Sequence, residues 1–418
     1  MVPDEWGPEL ARDVGACFVE VLGIRSQDGG TGRIVVGHDM RPTGPDLVAA
    51  FIDGVTAAGV DVVAMGLCST DGLYFASGSL GIPGAMFTAS HNPAQYNGIK
   101  LCRAGAAPVG QDSGLSEIRD LLEAGKVPAP AHRVGDIQQR DLLADYASYL
   151  RTLVPLERIR PLRVVIDTGN GMGGYTVPAV LGDRVLPALP IDIDPLYFEL
   201  DGNFPNHEAN PIDPENLRDL QNRVRQTGAD LGLAFDGDAD RCFVVDESGA
   251  IVDPSTLTAL IAVRELARHP GATIIHNLIT SRSVPEIVRE HGGNPVRTRV
   301  GHSFIKATMA EQGAVFGGEH SGHFYFADFW NADSGMLAAM HALAALGETP
   351  AGTTFSQLCA SMVRYVPSGE INTRVSDAHA VISHIKTQAQ SMPGTDIDEL
   401  DGLTVSGQGW WFNVRPSN

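Results

Sequence analysis

Basic residues are scarce in this 418-residue chain: 30 Lys and Arg stand against 50 Asp and Glu, for a formal charge of −20. Nucleic acid and anionic membrane surfaces need concentrated positive charge, so neither is expected as a partner. A local basic pocket for a small anion stays open. Cysteine is scarce as well. Cys17, Cys68, Cys102, Cys242 and Cys359 are scattered, odd in number and form no C-x-x-C pair. That disfavours a disulfide framework or a thiolate zinc site and predicts buried, reduced thiols. A long apolar run is also missing. The longest uncharged stretch, Gly72 to Ile99, is broken by Gly, Ser, Asn and two prolines, so no membrane span is expected. The opening MVPDEWGPEL has early acids and no apolar signal-peptide core. A cytoplasmic protein is the expectation.

What is present suffices for buried cores, at 43% hydrophobic residues. The length predicts two to four domains, at roughly 100–200 residues each. Three segments share a rhythm of apolar strand, Gly- or Ser-containing turn, helical run and second strand. The first opens at Arg33-Ile34-Val35-Val36-Gly37 and resumes at Val60-Asp61-Val62-Val63-Ala64. The second opens at Arg163-Val164-Val165-Ile166-Asp167, the third at Ala272-Thr273-Ile274-Ile275-His276. This alternation indicates β-α-β units with mostly parallel sheets. A Pro-rich break near Lys126–His132 precedes a helical stretch predicted from Gln138 to Leu153, and a further helix is expected at Met336–Leu346. The tail from Tyr365 reads strand, helix (Ala378 to Ser391), turn, strand. The expected domains are 1–135, 136–250, 251–363 and a short 364–418.

Four motifs carry chemistry. Asp236-Gly237-Asp238-Ala239-Asp240-Arg241 follows the apolar strand Leu231–Phe235. Three carboxylates at alternate positions of a loop with small spacers suit a hard cation such as Mg²⁺, and the end of a strand is where open α/β sheets bind ligands. An EF-hand is disfavoured because its sixth loop position here is Arg241, not Gly; a solvated acidic turn remains an alternative. Thr88-Ala89-Ser90-His91-Asn92-Pro93 places Ser90 as a nucleophile or phosphate carrier, with an ordinary Ser-Asn-Pro turn as the competing reading. In Gly317-Gly318-Glu319-His320-Ser321-Gly322-His323, a carboxylate, two imidazoles and a hydroxyl share one loop. That set suits sugar hydroxyls better than a metal. Arg415-Pro416-Ser417-Asn418 is either a phosphate clamp or a frayed terminus. Gly169-Asn170-Gly171-Met172-Gly173-Gly174 fits G-x-G-x-x-G. A dinucleotide site is nonetheless disfavoured, on the grounds that Pro178 interrupts the helix and that Asp192 and Asp194 fall in a Pro-rich turn.

TASHNP, DGDADR, GGEHSGH and RPSN, in that order, resemble the α-D-phosphohexomutase superfamily, most of all its bacterial phosphomannomutase and phosphoglucomutase branch. Supporting segments are Phe204-Pro205-Asn206-His207, Arg299-Val300-Gly301-His302 with Lys306 downstream, and Ala332-Asp333-Ser334-Gly335. The resemblance implies an α/β, four-domain architecture around a central cleft, with three similar mixed α/β domains and a smaller C-terminal α+β domain. It implies an enzyme, an intramolecular phosphotransferase that moves phosphate between C6 and C1 of a hexose through a hexose 1,6-bisphosphate. By resemblance Ser90 is the phosphoserine, and Asp236, Asp238 and Asp240 hold Mg²⁺ together with it. Glu319, His320 and Ser321 meet the sugar, while Arg415, Ser417 and Asn418 hold its phosphate. Lys100 and His302 match positions of proton transfer and substrate contact, and Arg241 adds positive charge. His91, Asn92, Arg299 and Gly301 are placed with them at the substrate. Lys100 would accept a hydroxyl proton if its pKa is depressed.

Mannose 6- and 1-phosphate and glucose 6- and 1-phosphate are the expected substrates, and the protein a monomer or homodimer. Phosphoglucosamine mutase is the nearest alternative, but that branch usually presents Gln where His320 stands. A Mg²⁺-dependent sugar phosphatase and an inactive fragment are the others. The family pattern begins with a Tyr-Asp-Ile-Arg-Gly type strand and continues past RPSN, whereas this chain runs from Met1 to Asn418. The resemblance therefore implies truncation at both ends, with the first domain's N-terminal strand missing.

Overall fold

The computed structural model describes residues 1–2, 5–24, 32–369 and 371–416. The first unit runs α1 (Pro8–Val21), β1 (Arg33–His38), α2 (Gly44–Ala57), β2 (Asp61–Leu67), α3 (Thr70–Leu80), β3 (Gly84–Phe87), β4 (Ile99–Arg103), β5 (Ala107–Pro108), α4 (Leu115–Glu123) and β6 (Ile137–Gln139). The second runs α5 (Leu143–Leu153), β7 (Leu162–Asp167), α6 (Gly173–Val180), β8 (Ile191–Leu196), α7 (Arg218–Thr227), β9 (Leu231–Phe235), β10 (Cys242–Asp246) and β11 (Ile251–Val252). The third runs α8 (Pro254–Arg268), β12 (Thr273–Asn277), α9 (Ser283–Glu290), β13 (Asn294–Thr298), α10 (His302–Gln312), β14 (Phe316–Gly318), β15 (Phe324–Phe326), β16 (Ala332–Asp333), α11 (Gly335–Gly347) and α12 (Phe355–Cys359). The last holds α13 (Ala378–Ser391), β17 (Asp396–Asp398), β18 (Leu403–Gly407) and β19 (Trp410–Val414).

The first three sheets repeat one topology. Their orders are β5-β4-β3-β1-β2, β11-β10-β9-β7-β8 and β16-β15-β14-β12-β13, with β6 added at the edge of the first. In each, a central strand lies parallel to both neighbours, and the next strand out turns back antiparallel. The antiparallel turn-back is the functionally important joint. The Ser90 loop links β3 to β4, the Asp236–Asp240 loop links β9 to β10, and the Glu319–His323 loop links β14 to β15. All three motifs thus sit at the same step of the same repeat, beyond the carboxyl end of a parallel strand, where such sheets bind ligands. The fourth sheet is a small antiparallel one, β17-β18-β19.

Strands β1, β3, β7 and β9 are buried on both faces, as parallel strands covered by helices must be. Helix α11 is buried at all 13 positions, the mark of a helix in the middle of a molecule. It shares one hydrophobic cluster with Leu73 of α3, Tyr146 of α5 and Leu260 of α8, so the three α/β units pack into a common core. All five cysteines are free and buried. Among the described residues no helix is long and apolar enough to cross a membrane.

Four sequence expectations need correcting. The helix expected from Gln138 begins only at Leu143, because Ile137–Gln139 pairs as β6 alongside β2. The first sheet therefore reaches past the expected boundary at 135/136. Helix α6 runs through Pro178 instead of stopping there; Leu181 N and Gly182 N close its last turn on the Val177 carbonyl. Asp192 and Asp194 lie on β8, not in a turn. Both grounds for setting aside the dinucleotide reading fall with these. What replaces them is that Met172 N donates to the Gly237 carbonyl at 2.8 Å, so the glycine-rich turn props the Asp loop. Among the described residues no strand lies between Tyr365 and α13, and three strands follow α13 rather than one.

Two buried imidazoles make stability pH-dependent. Burial holds His276 down at about 4 and His341 down at about 3. A base whose folded pKa is depressed contributes stability above its unfolded value of about 6.5, lost as pH falls toward the folded one. His341, stacked on Phe326, gives a clean test. In His341→Phe, unfolding free energy measured between pH 4 and 6 should fall less steeply with acid, by up to about 1.4 kcal/mol per pH unit.

Candidate active site

Ser90 stands in the left-handed region, with φ 51°, a conformation that must be imposed on a residue bearing a Cβ. Ser90 N donates to Thr88 Oγ1 at 2.8 Å. Arg41 supplies the larger constraint. Its guanidinium donates to the carbonyls of Pro93 and Tyr96 through Nη1 and of Ser90 and Asn92 through Nη2, at 2.7–2.9 Å. Nε is paired with Asp39 at 3.2 Å, and both side chains are fully buried. Sequence reading missed Arg41, since its four acceptors lie 49 to 55 residues away; its only local signal was a charged pair, Asp39 and Arg41, just beyond a buried strand. A lysine ammonium cannot span four carbonyls as this fork does. Arg41→Lys should cost at least about tenfold in kcat and several degrees of Tm, read by steady-state assay and thermal melt.

The Ser90 hydroxyl points at the second loop. Its Oγ donates to Asp236 Oδ2 at 3.0 Å and lies 3.4 Å from Arg241 Nη2. The two backbones approach so closely that a Cβ on Gly237 would lie 2.4 Å from the Ser90 carbonyl oxygen. Asp236, Asp238 and Asp240 are fully buried, and each offers a carboxylate oxygen within 4.8 Å of the other two. Burial pushes Asp236 up to about 8, with Asp240 and Asp238 adding to the rise against the pull of Arg241. Burial would raise Asp238 too, but Lys100 and the Thr70 hydroxyl hold it well below the usual range. Asp238 Oδ1 and Asp240 Oδ1 are buried without a hydrogen-bond partner. Three crowded carboxylates with two orphaned oxygens fit a bound cation better than a solvated turn.

Lys100, on β4, donates to Asp238 Oδ2 at 2.7 Å and Asp240 Oδ2 at 2.6 Å. Burial would lower its pKa, yet those two carboxylates raise it well above the ordinary value. The condition for Lys100 to accept a proton, a depressed pKa, is not met while both carboxylates face it; in this arrangement it is held as a cation. Thr70 is a second residue the sequence did not disclose. Its Oγ1 donates to Asp238 Oδ2 at 2.6 Å.

The third loop adjoins the second. Arg241 and His323 form an antiparallel bridge, and His323 Nδ1 lies 3.8 Å from Asp240 Oδ1. Glu319, 2% exposed, accepts from Asn277 Nδ2, Gly301 N and the Tyr325 hydroxyl. That hydroxyl also meets His302 Nδ1 at 2.9 Å. His302 and His323 have ring centroids 4.0 Å apart, and both face Asp333, which Lys306 Nζ pairs at 2.9 Å. Burial and the His302 charge lower His323; burial would lower His302 too, but Asp333 and Glu319 raise it. His320 turns instead toward Ser255 Oγ, 3.0 Å from its Nδ1. Ser321 is half-buried on the same loop. Asn92 is engaged through its backbone carbonyl, and His91 is held down at about 4 by burial and Arg241. Arg299 is exposed and lies over the Phe304 ring.

Arg415 follows β19, half-buried, with Nη1 buried and unpartnered, as suits a group awaiting an anion. No hydrogen bond joins it to the three loops among the described residues. Ser417 and Asn418 lie outside the described residues.

Comparison with known proteins agrees with this geometry. The family patterns described as "Phosphoglucomutase/phosphomannomutase, alpha/beta/alpha" domains I, II and III match residues 1–127, 144–249 and 253–365. A Xanthomonas campestris pv. campestris protein named "Phosphohexose mutases" is 37% identical over 100% of this chain and 90% of its own length. A "Phosphomannomutase" of Escherichia coli K12 is 36% identical over 99% of this chain and 90% of its own. The crystal structure of a phosphoglucomutase/phosphomannomutase family protein from Burkholderia thailandensis superposes with a TM-score of 0.87 at 33% identity, over 100% of this chain and 88% of that one. The chain belongs to the phosphoglucomutase/phosphomannomutase family and is a phosphohexomutase.

Proposed function

We infer that this enzyme moves phosphate reversibly between C6 and C1 of mannose and glucose phosphates, through a phosphorylated Ser90 and a hexose 1,6-bisphosphate. The observation that carries the reading is the Ser90 hydroxyl, 3.0 Å from Asp236 and 3.4 Å from the Arg241 guanidinium, on a loop that Arg41 holds by four carbonyls.

Phosphoryl transfer asks for charge neutralisation and in-line placement more than for covalent help. Ser90 supplies the accepting and donating oxygen. Arg241, nearly fully buried, offers its guanidinium to the phosphoryl oxygens, and Lys100 adds a second fixed positive charge. Asp236, Asp238 and Asp240, with the phosphorylated Ser90, would hold Mg²⁺, which when bound supplies neutralisation of the phosphate charge. Glu319, His320 and Ser321 read sugar hydroxyls, while Arg415, with Ser417 and Asn418, grips the phosphate that is not transferring. The paired imidazoles of His302 and His323 are the groups in the third loop's cluster that can exchange a proton near neutral pH. A hydroxyl-reading loop separate from a phosphate clamp lets the bisphosphate be held in either orientation, as exchange between C6 and C1 demands. The domains bearing these roles are those expected, 1–135, 136–250, 251–363 and 364–418, with the first extended to take in β6 (Ile137–Gln139), and the protein works in the cytoplasm as a monomer or homodimer.

Substrate choice is tested by a coupled assay on mannose, glucose and glucosamine 1-phosphates with Mg²⁺ and catalytic hexose 1,6-bisphosphate. Turnover should be at least tenfold faster on the two hexoses; preference for the amino sugar would overturn the assignment.

A further inference from the structure

We propose, resting on the mutase reading above, that Asp71 is a positioning residue that joins the three α/β units at one buried carboxylate and keeps the second and third loops in register. Asp71 lies in the first turn of α3 and is 1% exposed. Its Oδ1 accepts from Ser69 Oγ at 2.5 Å. Its Oδ2 accepts twice, from the Tyr146 hydroxyl on α5 and from Ser334 Oγ ahead of α11, each at 2.7 Å. One carboxylate therefore receives a hydroxyl from each of the three repeats. Tyr146 and Ser334 are themselves buried, at 2% and 0% exposure, so water does not replace either bond.

Two of the three spokes lead directly to chemical loops, and Tyr146 ties the hub to α5. Thr70, one residue before Asp71, bonds Asp238 through its hydroxyl at 2.6 Å and through its backbone N–H to the Asp238 carbonyl at 3.1 Å. Ser334 caps α11, its Oγ accepting from Leu337 N at 3.1 Å, and follows Asp333, on which His302, His323 and Lys306 converge. The next residue, Gly335, packs so tightly that a Cβ there would lie 2.6 Å from the Arg241 carbonyl carbon and oxygen. Two helix N-termini thus abut the second loop from either side, and Asp71 bonds to both. Burial pushes Asp71 up to about 6 despite the three hydroxyl donors; keeping a carboxyl in so dry a place is a cost that packing alone does not require. Misplacing reacting groups by an ångström slows transfer steeply while binding changes little.

The test uses the full chain with Mg²⁺, glucose 1-phosphate and catalytic bisphosphate, in Asp71→Ala, Asp71→Asn, Tyr146→Phe and Ser334→Ala. Asp71→Ala should lower kcat at least tenfold and the two hydroxyl deletions at least threefold each, with KM within twofold. Inorganic phosphate released per sugar isomerised should rise severalfold, since a loosened site admits water to the phosphoserine. Asp71→Asn should stay within threefold of wild type, because its amide oxygen can accept from both Tyr146 and Ser334. If Asp71→Ala does not fold, the two hydroxyl variants carry the test. Unchanged kcat in folded variants, or losses that track only the folded fraction with no rise in phosphate release, would overturn the proposal. A wild-type protein that isomerises no hexose phosphate would overturn the functional reading instead.

Discussion

Ser90→Ala loses mutase turnover by at least about 10³-fold, equivalent to about 4 kcal/mol of barrier, while folding as wild type does. The two halves of that result have separate causes. The hydroxyl meets both Asp236 and the Arg241 guanidinium, and among the described residues no other side-chain hydroxyl is hydrogen-bonded to that pair, so none is placed to take over as phosphate carrier. The loop's shape, by contrast, is set by backbone groups that alanine retains: the Ser90 N–H on Thr88 and the carbonyls on Arg41. A thermal melt within a few degrees of wild type, peptide mass spectrometry finding no phosphate at position 90, and a flat coupled assay are the three readings expected together. Activity that survived with a native melt would remove Ser90 from the mechanism.

The second large effect belongs to the Asp loop. Stripping divalent cations should abolish turnover and Mg²⁺ should restore it. Asp240→Asn should lower turnover at least about 100-fold and raise the half-saturating Mg²⁺ concentration tenfold or more, because a hard cation loses one of three charged oxygens. Stability should move the other way. Without metal, three buried carboxylates repel one another, and burial with that repulsion pushes Asp236 up. Removing one charge leaves the metal-free melting temperature unchanged or raised. A solvated acidic turn would show neither the Mg²⁺ shift nor that sign. A metal-free melt lowered by several degrees, with Mg²⁺ dependence intact, would say that Asp240 serves Lys100 and not a cation.

The loops of the candidate site were legible where they are local in sequence. Ser90, the Asp236–Asp240 triad and Glu319 each lie in a contiguous loop after an apolar strand, and alternating strands and helices gave the α/β class. Their common place in the repeat did not follow from that rhythm and emerges only from the sheet order. Hidden from the sequence were the contacts that make loops into a site. Arg41 acts on carbonyls some fifty residues away, Thr70 reaches Asp238 across 168 positions, and Ser334 meets Asp71 across 263. No local pattern encodes such pairs. Periodicity failed for a related reason at β6, whose three residues are exposed on both faces and carry no buried stripe. Lys100 shows the same limit in electrostatics. Its residue type left a proton acceptor open, but the two carboxylates 2.6–2.7 Å from it, which raise its pKa, lie 138 and 140 positions away in sequence.

The most direct measurement is ³¹P NMR of the purified full chain with mannose 1-phosphate or glucose 1-phosphate, Mg²⁺ and catalytic hexose 1,6-bisphosphate. The account predicts that the 1-phosphate resonance gives way to that of the 6-phosphate until the two reach equilibrium, with inorganic phosphate staying near baseline. Inorganic phosphate accumulating as the main product, or spectra that do not change with folded, Mg²⁺-loaded protein, would contradict it.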